Sequence, residues 1–239
     1  MLKVKGILIT RGAEQGNALA QALAKHNVPS VVVPALIINP IDYNNPNCSD
    51  FHKLIYISQN AVKYGPKPSE KNIVCAIGTA TSQALKNTFA INQLVVPSEA
   101  TSEALLEDQS LQSVSGENIL IICGKGGRAL LQDTLRERGA LCQRLEVYER
   151  CYPEENENLL QTQLENGKLD FVLVTSEQAL KNTLQLSGQY QDSVRTLQPI
   201  VISSRLARLT KELGFKQTAI IINTITANEI YKAMNQGVL

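Results

Sequence analysis

Small polar and basic residues follow most of the apolar runs in this 239-residue chain, where a strand would pass into a helix. Any one of them is explained by helix N-capping, which contributes about 1 kcal/mol. Together, such turns present backbone N–H groups and positive helix-dipole ends, each favouring a nearby anion by roughly 0.3 to 1 kcal/mol. The pattern predicts a site for a ligand with several carboxylates or phosphates. The candidate binding residues are Arg11, Ser58, Asn60, Thr79, Thr81, Lys125, Gly126, Gly127, Arg128, Thr175, Ser176, Ser203, Ser204 and Thr226.

A glycine-rich turn offers a second interpretation. Residues 124–129, GKGGRA, fit the G-x-G-x-x-G/A fingerprint of dinucleotide-binding folds, and Glu146 at the end of the next apolar run could bind a ribose. An oxidoreductase that uses NAD(P) is therefore one alternative. Against it, the fingerprint lies in the middle of the chain instead of the first strand–helix unit, and Lys125 and Arg128 suit a more highly charged anion.

Few other residues could act as an acid, a base or a nucleophile. His26 ends a predicted helix and His52 opens a predicted strand, so neither is an obvious general base. Cys123 has no histidine placed beside it by the sequence and is interpreted as a core residue. Tyr148 lies where a strand enters a predicted crossing between domains. Its phenol therefore either faces an interdomain cleft or packs at an interface.

Composition excludes several classes of protein. Lys plus Arg is 23 and Asp plus Glu is 22, so the net charge is only +1. Such a chain has no broad positive electrostatic field that would attract nucleic acid or an anionic membrane. The five cysteines are an odd number without a C-x-x-C pair, which argues against a disulfide framework and a zinc site. No run of about 18 apolar residues, the length expected of a membrane-spanning helix, occurs in the sequence. We expect a cytoplasmic protein that binds neither nucleic acid nor membrane.

Short apolar runs alternate with stretches of helical periodicity, which is typical of an α/β fold whose parallel strands are buried on both faces. The string QALKNT occurs twice, each time after such a run, as expected for two similar halves. The predicted strands are residues 7–10, 31–34, 54–58, 74–78, 93–97, 119–123, 145–148, 171–175, 200–203 and 219–222.

Two extended, proline-bearing segments, 35–47 and 146–158, look like crossings between domains. Ten strands would make one wide sheet, whereas two sheets of about five are ordinary. We therefore predict one domain from residues 1–37 and 149–239 and an inserted domain from 38–148. The two would be joined by a two-stranded linker, with a substrate cleft between them.

An ordered set of motifs resembles the uroporphyrinogen-III synthase family over nearly the whole chain. The resemblance rests on ILITRGAEQGNALAQAL, YISQNAV, AIGTATSQAL, VPSEATSEALL, ILIICGKGGRALLQDTLRERG with the following EVYERCYP, and VISSRLARLTKELG. It implies two α/β domains and a lyase that closes the linear tetrapyrrole hydroxymethylbilane into uroporphyrinogen III, with inversion of ring D and loss of water. It also implies that no cofactor is needed, and the lack of a ligand cluster in the sequence predicts that no metal is needed either. We expect a monomer.

The resemblance also implies roles for individual residues. Tyr148 would act as general acid toward the hydroxyl that leaves the substrate. Polar positions facing the cleft of the family correspond to Ser58, Thr81, Tyr148, Ser203 and Thr226, and substrate carboxylates would meet Arg11, Lys125, Gly126, Gly127 and Arg128. A non-catalytic two-domain protein that binds a small polyanion would show the same turns, and it remains a further alternative beside the oxidoreductase.

Overall fold

A computed structural model describes residues 6–127 and 129–236 of the chain, which forms two compact units. Unit 1 comprises the chain up to Ile37 and from Cys151 onward, and unit 2 comprises Ile38–Arg150. The strands are β1 (Gly6–Ile9), β2 (Ser30–Val32), β3 (Ile37–Pro40), β4 (Lys53–Tyr56), β5 (Ile73–Ala76), β6 (Gln93–Val95), β7 (Asn118–Gly124), β8 (Leu141–Cys151), β9 (Leu169–Val174), β10 (Gln198–Val201) and β11 (Ile220–Ile221). The α-helices are α1 (Ala13–Ala24), α2 (Gln59–Tyr64), α3 (Thr79–Thr88), α4 (Ser102–Leu106), α5 (Leu130–Glu137), α6 (Glu157–Glu165), α7 (Glu177–Leu186), α8 (Gln191–Thr196), α9 (Ser204–Glu212) and α10 (Ala227–Gln236).

Unit 1 contains a five-stranded parallel sheet in the order β11-β10-β9-β1-β2. Successive residues of β1 point to opposite faces, so Leu8 packs with Val172 and Leu180 on one side, while Ile7 and Ile9 join a separate core on the other. Because both faces are covered, the strands read as continuous apolar runs. The predicted α/β class with parallel sheets is confirmed.

Unit 2 contains a six-stranded sheet in the order β3-β8-β7-β4-β5-β6. Strand β4, which follows β3 in the chain, pairs in parallel with β5 on one side and with β7 on the other. β1 has the equivalent place in unit 1, between β2 and β9. In open parallel sheets, ligands bind at the carboxyl ends of the strands where the strand order reverses in this way.

Each of the ten predicted apolar runs overlaps a strand, β3 lies within the extended segment predicted at 35–47, and the first half of β8 was not predicted. Asn27, Gly139 and Gly214 adopt the left-handed conformation, with φ of 56°, 87° and 85°, just after α1, α5 and α9 end. None of the helices in the described part of the chain combines the length and the apolar character needed to cross a membrane.

Candidate active site

Polar groups gather at the carboxyl ends of four neighbouring parallel strands in unit 2. Ser58 follows β4 and Thr79 follows β5. Gly124 ends β7 and begins the turn that continues to Gly127, and Tyr148 lies near the end of β8. Because these strands are adjacent and parallel, their carboxyl ends lie along one edge of the sheet. The edge includes the point of order reversal between β4 and β7, which makes it the candidate active site of unit 2.

Two hydroxyl groups meet at this edge. The phenol oxygen of Tyr148 lies 3.0 Å from Oγ of Ser58. Ser58 is also the N-cap of α2, and its Oγ accepts a hydrogen bond from the backbone N–H of Ala61 at 3.0 Å. Tyr148 is fully buried in the core of unit 2, whereas Ser58 is half-buried. Of the two residues, Ser58 is therefore the one with access to solvent, whereas the family resemblance implied a Tyr148 that faces the cleft.

A β-bulge aims the Tyr148 ring at Ser58. The pairing of β7 with β8 shifts register so that Cys123 opposes Glu146 while the next residue, Gly124, opposes Tyr148. Val147 and Tyr148 consequently lie in the same core cluster, although consecutive residues of a regular strand face opposite sides. Gly124 makes room for the ring, since a Cβ there would lie 2.6 Å from ring atoms Cε2 and Cζ.

The guanidinium of Arg150 reaches the same phenol from a position two residues further along β8. Its Nη2 donates to the Tyr148 hydroxyl oxygen at 3.3 Å, and its central carbon lies 5.4 Å from the centre of the Tyr148 ring. This places a cation both over the ring and beside the hydroxyl. The Tyr148 oxygen thus has two polar neighbours, Arg150 and Ser58.

Carboxylates of the chain itself occupy the glycine-rich turn. The Nζ of Lys125 lies 3.0 Å from Oε2 of Glu149, and the backbone N–H of Gly126 donates to Oε1 of Glu146 at 3.4 Å. Gly126 adopts φ of +74°, a conformation that favours glycine. The groups expected to meet ligand carboxylates therefore already face acidic side chains. Of this predicted set, Arg128 lies outside the described residues.

A small cavity lies beside the turn, on the face of the sheet covered by α4 and α5. Its volume is about 180 Å³, and its polar lining includes Arg144, Cys123 and Gln132. Arg144 donates to the Gly127 carbonyl at 3.2 Å. Burial raises the pKa of the Cys123 thiol, and the nearby Arg144 partly opposes that rise. Cys123 is fully buried, so its interpretation as a core residue is confirmed.

In unit 1, the candidate hydroxyl residues mainly cap helices. Side-chain oxygens of Ser176, Ser203 and Thr226 accept hydrogen bonds from the backbone N–H three residues further on, at 3.1, 3.3 and 3.3 Å. Thr175 is half-buried before its cap, and Ser204 is exposed in the first turn of α9. The turns after β9 and β10 lie at one edge of the sheet, as the parallel pairing requires.

The turn after β1 lies at the same edge of unit 1. Arg11 donates to the side-chain oxygen of Gln15 at 2.5 Å, and partial burial lowers the pKa of its guanidinium. Thr10, which was not selected from the sequence, is buried and donates its hydroxyl proton to the Leu173 carbonyl at 2.8 Å. That hydrogen bond links the ends of β1 and β9 at the point of order reversal.

Three predicted binding residues of unit 2 differ in their exposure. Asn60 is half-buried in the first turn of α2, and Thr79 is exposed at the start of α3. Thr81, expected to face an open site, is only 4% exposed. The roles of these residues in binding stay predictions.

The histidines and cysteines do not gather around a common point. Within the described residues, no group of three or more His, Cys, Asp or Glu side chains could hold a metal ion. Nδ1 of His52 accepts from the backbone N–H of Asn118 at 2.9 Å, and the ring of His26 stacks on Tyr231 with centroids 4.8 Å apart. The five cysteines, all of which lie in the described part of the chain, form no disulfide.

Sequence reasoning missed the two arginines of β8, Arg144 and Arg150. A signal was available for the first of them, because Arg144, Glu146 and Tyr148 alternate with apolar residues before the charged Glu149 breaks the pattern ahead of Arg150. Such alternation marks a strand with one polar face. The bulge then separates the set, since Arg144 faces the cavity whereas Arg150 contacts the Tyr148 ring.

Comparison with known proteins gives a consistent result. A family model described as "Uroporphyrinogen-III synthase HemD" matches residues 17–222. The uroporphyrinogen-III synthase of Chlorobaculum parvum is 28% identical over 229 residues, which cover 89% of this chain and 91% of that protein. The uroporphyrinogen-III synthase of Escherichia coli K12 is 34% identical over 152 residues, or 62% of this chain and 61% of that protein.

Solved structures share the fold. A crystal structure of a mutant uroporphyrinogen III synthase from Thermus thermophilus aligns with a TM-score of 0.63 at 15% identity, covering 97% of this chain and 99% of that one. The uroporphyrinogen-III synthetase of Helicobacter pylori 26695 aligns with a TM-score of 0.61 at 14% identity, with the same two coverages.

Proposed function

The chain belongs to the uroporphyrinogen-III synthase family of cyclising lyases, and we propose that it converts hydroxymethylbilane into uroporphyrinogen III with inversion of ring D and loss of water. The observation that carries this proposal is the match of the family model over residues 17–222. That range spans most of both units and includes the edge with Ser58, Gly124–Gly127 and Tyr148.

The substrate is a polyanion, because acetate and propionate groups surround its pyrrole rings. We propose that its carboxylates bind the strand-end turns through backbone N–H groups and helix N-termini, as the sequence pattern suggests. In unit 2, binding at Gly126 would displace the Glu146 carboxylate from the backbone N–H at 3.4 Å. The interdomain cleft expected from the sequence stays a prediction.

The chemistry needs a leaving group and control of conformation. A pyrrole nitrogen supplies the electron pair that expels the terminal hydroxyl as water, which leaves an azafulvene. The azafulvene attacks the substituted carbon of ring D to form a spiro intermediate, and fragmentation followed by re-closure inverts that ring. Unassisted closure gives the unrotated type I isomer, so the main task of the protein is to hold the reacting carbons in the productive arrangement.

We assign the general acid to Tyr148. A phenol carries an O–H group that can donate as the hydroxyl departs. Support comes from the Ser58 and Arg150 contacts, which hold the phenol oxygen in a defined place at the strand-end edge. The substrate is itself reactive, so this donation supplements conformational control.

Product analysis tests the proposed activity. Purified protein is incubated with freshly generated hydroxymethylbilane, the porphyrinogens are oxidised, and the type I and type III isomers are separated. We expect type III product with the protein present and type I product in a matched incubation without it. Type I product in both incubations would refute the proposal and favour the non-catalytic binder, which would hold the tetrapyrrole without changing the isomer.

The oxidoreductase alternative is not favoured. A dinucleotide fingerprint belongs to the turn after the first strand of its sheet, at the point of order reversal. The glycine-rich turn begins at Gly124, the last residue of β7, whereas the strand in that central place is β4. Ser58 and Gln59, not a glycine-rich turn, follow β4.

Two further predictions belong to this proposal. A cytoplasmic location fits five cysteines that form no disulfide, because a reducing compartment keeps cysteines in the thiol state. A monomeric state is proposed as well, and sedimentation at several protein concentrations would test it.

A further inference from the structure

Arg150 lies beside the proposed acid and contacts both its hydroxyl and its ring. Its guanidinium donates to the Tyr148 hydroxyl oxygen at 3.3 Å and lies over the ring, with its central carbon 5.4 Å from the ring centre. Arg150 is exposed, in contrast to the fully buried Tyr148. An exposed arginine bonded to a buried hydroxyl influences which way the hydroxyl proton points.

The donors and acceptors around the phenol fix that direction. A guanidinium has donors only, so Arg150 occupies the accepting side of the Tyr148 oxygen. The phenolic proton is then left to point toward Ser58 Oγ, 3.0 Å away. Ser58 Oγ already accepts the N–H of Ala61, and with the Tyr148 proton both of its lone pairs are used. The proton of Ser58 itself therefore remains for a third group.

From this arrangement we infer that Arg150 is a positioning residue that directs the Tyr148 proton toward Ser58, so that Ser58 makes the final donation to the substrate hydroxyl. The half-buried position of Ser58 in front of a buried phenol agrees with that order. The inference rests on the proposed function, which it deepens by adding Arg150 and by ordering the two hydroxyls.

The proton transfers balance without another reactant. As the C–O bond of the substrate breaks, its electron pair stays on the oxygen, which takes the Ser58 proton and leaves as water. The Tyr148 proton moves to Ser58 Oγ, and the resulting phenolate lies beside the Arg150 cation. The macrocycle loses one proton when ring D closes and regains its aromatic form. That proton returns to Tyr148 through Ser58.

A set of variants tests the inference: Arg150→Met, Tyr148→Phe and their double variant, with Arg208→Met as control. Arg208 is an exposed arginine of α9 in unit 1, so its loss changes the net charge equally and removes none of the residues of this site. For each protein kcat, KM and the fraction of type III product are measured, and a thermal transition confirms folding. Should Arg150→Met fail to fold, Arg150→Gln is measured in the same way.

We expect Arg150→Met to lower kcat by about tenfold with KM within about twofold, because the lost interaction acts mainly in the transition state. Arg150→Lys should recover part of the loss, since an ammonium keeps the charge and a donor. In the Tyr148→Phe background, Arg150→Met should have no further effect on kcat. A purely structural arginine would instead lower both backgrounds equally.

Ser58→Ala separates the relay from direct donation by Tyr148. In the relay, Ser58→Ala and Tyr148→Phe lower kcat equally, and the double variant is no slower than either single one. If Ser58→Ala keeps the kcat of the parent, or if the Arg150 and Tyr148 effects multiply, the inference is overturned while type III synthesis by the parent still stands. A parent protein that yields only type I product would instead refute the proposed function.

Discussion

Gly124→Ala should destabilise unit 2 through a single contact. The added Cβ would lie 2.6 Å from Cε2 and Cζ of Tyr148 and 2.9 Å from its hydroxyl oxygen. Neither side can easily move, because Gly124 is held in β7 and the Tyr148 ring is fully buried. Overpacking of this kind costs about 1–3 kcal/mol of unfolding free energy. A loss of about 2 kcal/mol lowers Tm by roughly 4–8 °C in a chain of this size.

Differential scanning calorimetry measures the effect, and Gly12→Ala is the control. A Cβ on Gly12 meets nothing within 4 Å, and its φ of −50° suits alanine, so its unfolding free energy should change by no more than about 0.5 kcal/mol. Tyr148→Leu removes the ring atoms that clash. In that background the cost of Gly124→Ala should fall below about 1 kcal/mol, since neighbouring changes couple. An equal cost in both backgrounds would refute the assigned contact.

Five other outcomes are expected. Tyr148→Phe should lower the rate of type III formation by about tenfold or more with affinity nearly unchanged, as steady-state kinetics corrected for spontaneous closure would show; a rate within about twofold of the parent would exclude the phenol from catalysis. Activity should survive dialysis against a chelator, and loss of type III product that a metal restores would contradict this. Burial raises the pKa of Cys75 to about 12 and of Cys142 to about 11, so both should resist alkylation at pH 8 while the half-buried Cys151 reacts first, as peptide mass spectrometry can determine. The ordinary pKa of these two thiols is 9.0, so they ionise more readily in the unfolded chain, and the free energy of unfolding should fall as pH rises above 9.0. Asn182→Ala should cost about 1–3 kcal/mol of unfolding free energy in chemical denaturation, since it leaves a buried backbone carbonyl without its 2.7 Å hydrogen bond, and an unchanged midpoint would contradict that assignment.

Much of the fold was predictable because its strongest signals are local. Strands such as β7 and β9 are buried on both faces and therefore read as apolar runs in the sequence. Asn27 could be recognised as a helix-ending residue because the left-handed conformation favours asparagine and glycine. β3 and the first half of β8 gave no such signal, since both carry polar or partly exposed residues.

The sequence by itself determined which residues end the strands, and parallel pairing then required those ends to share an edge. It also indicated the family through the order of its motifs. The position of Tyr148 was decided only by tertiary structure. The bulge at Val147 arises from the pairing of β8 with β7 and turns the Tyr148 ring away from the face of Arg144. A one-residue shift in strand register moves a side chain to the opposite face of the sheet. The contact of Tyr148 with Ser58, 90 positions away, therefore depends on strand pairing that no local pattern encodes.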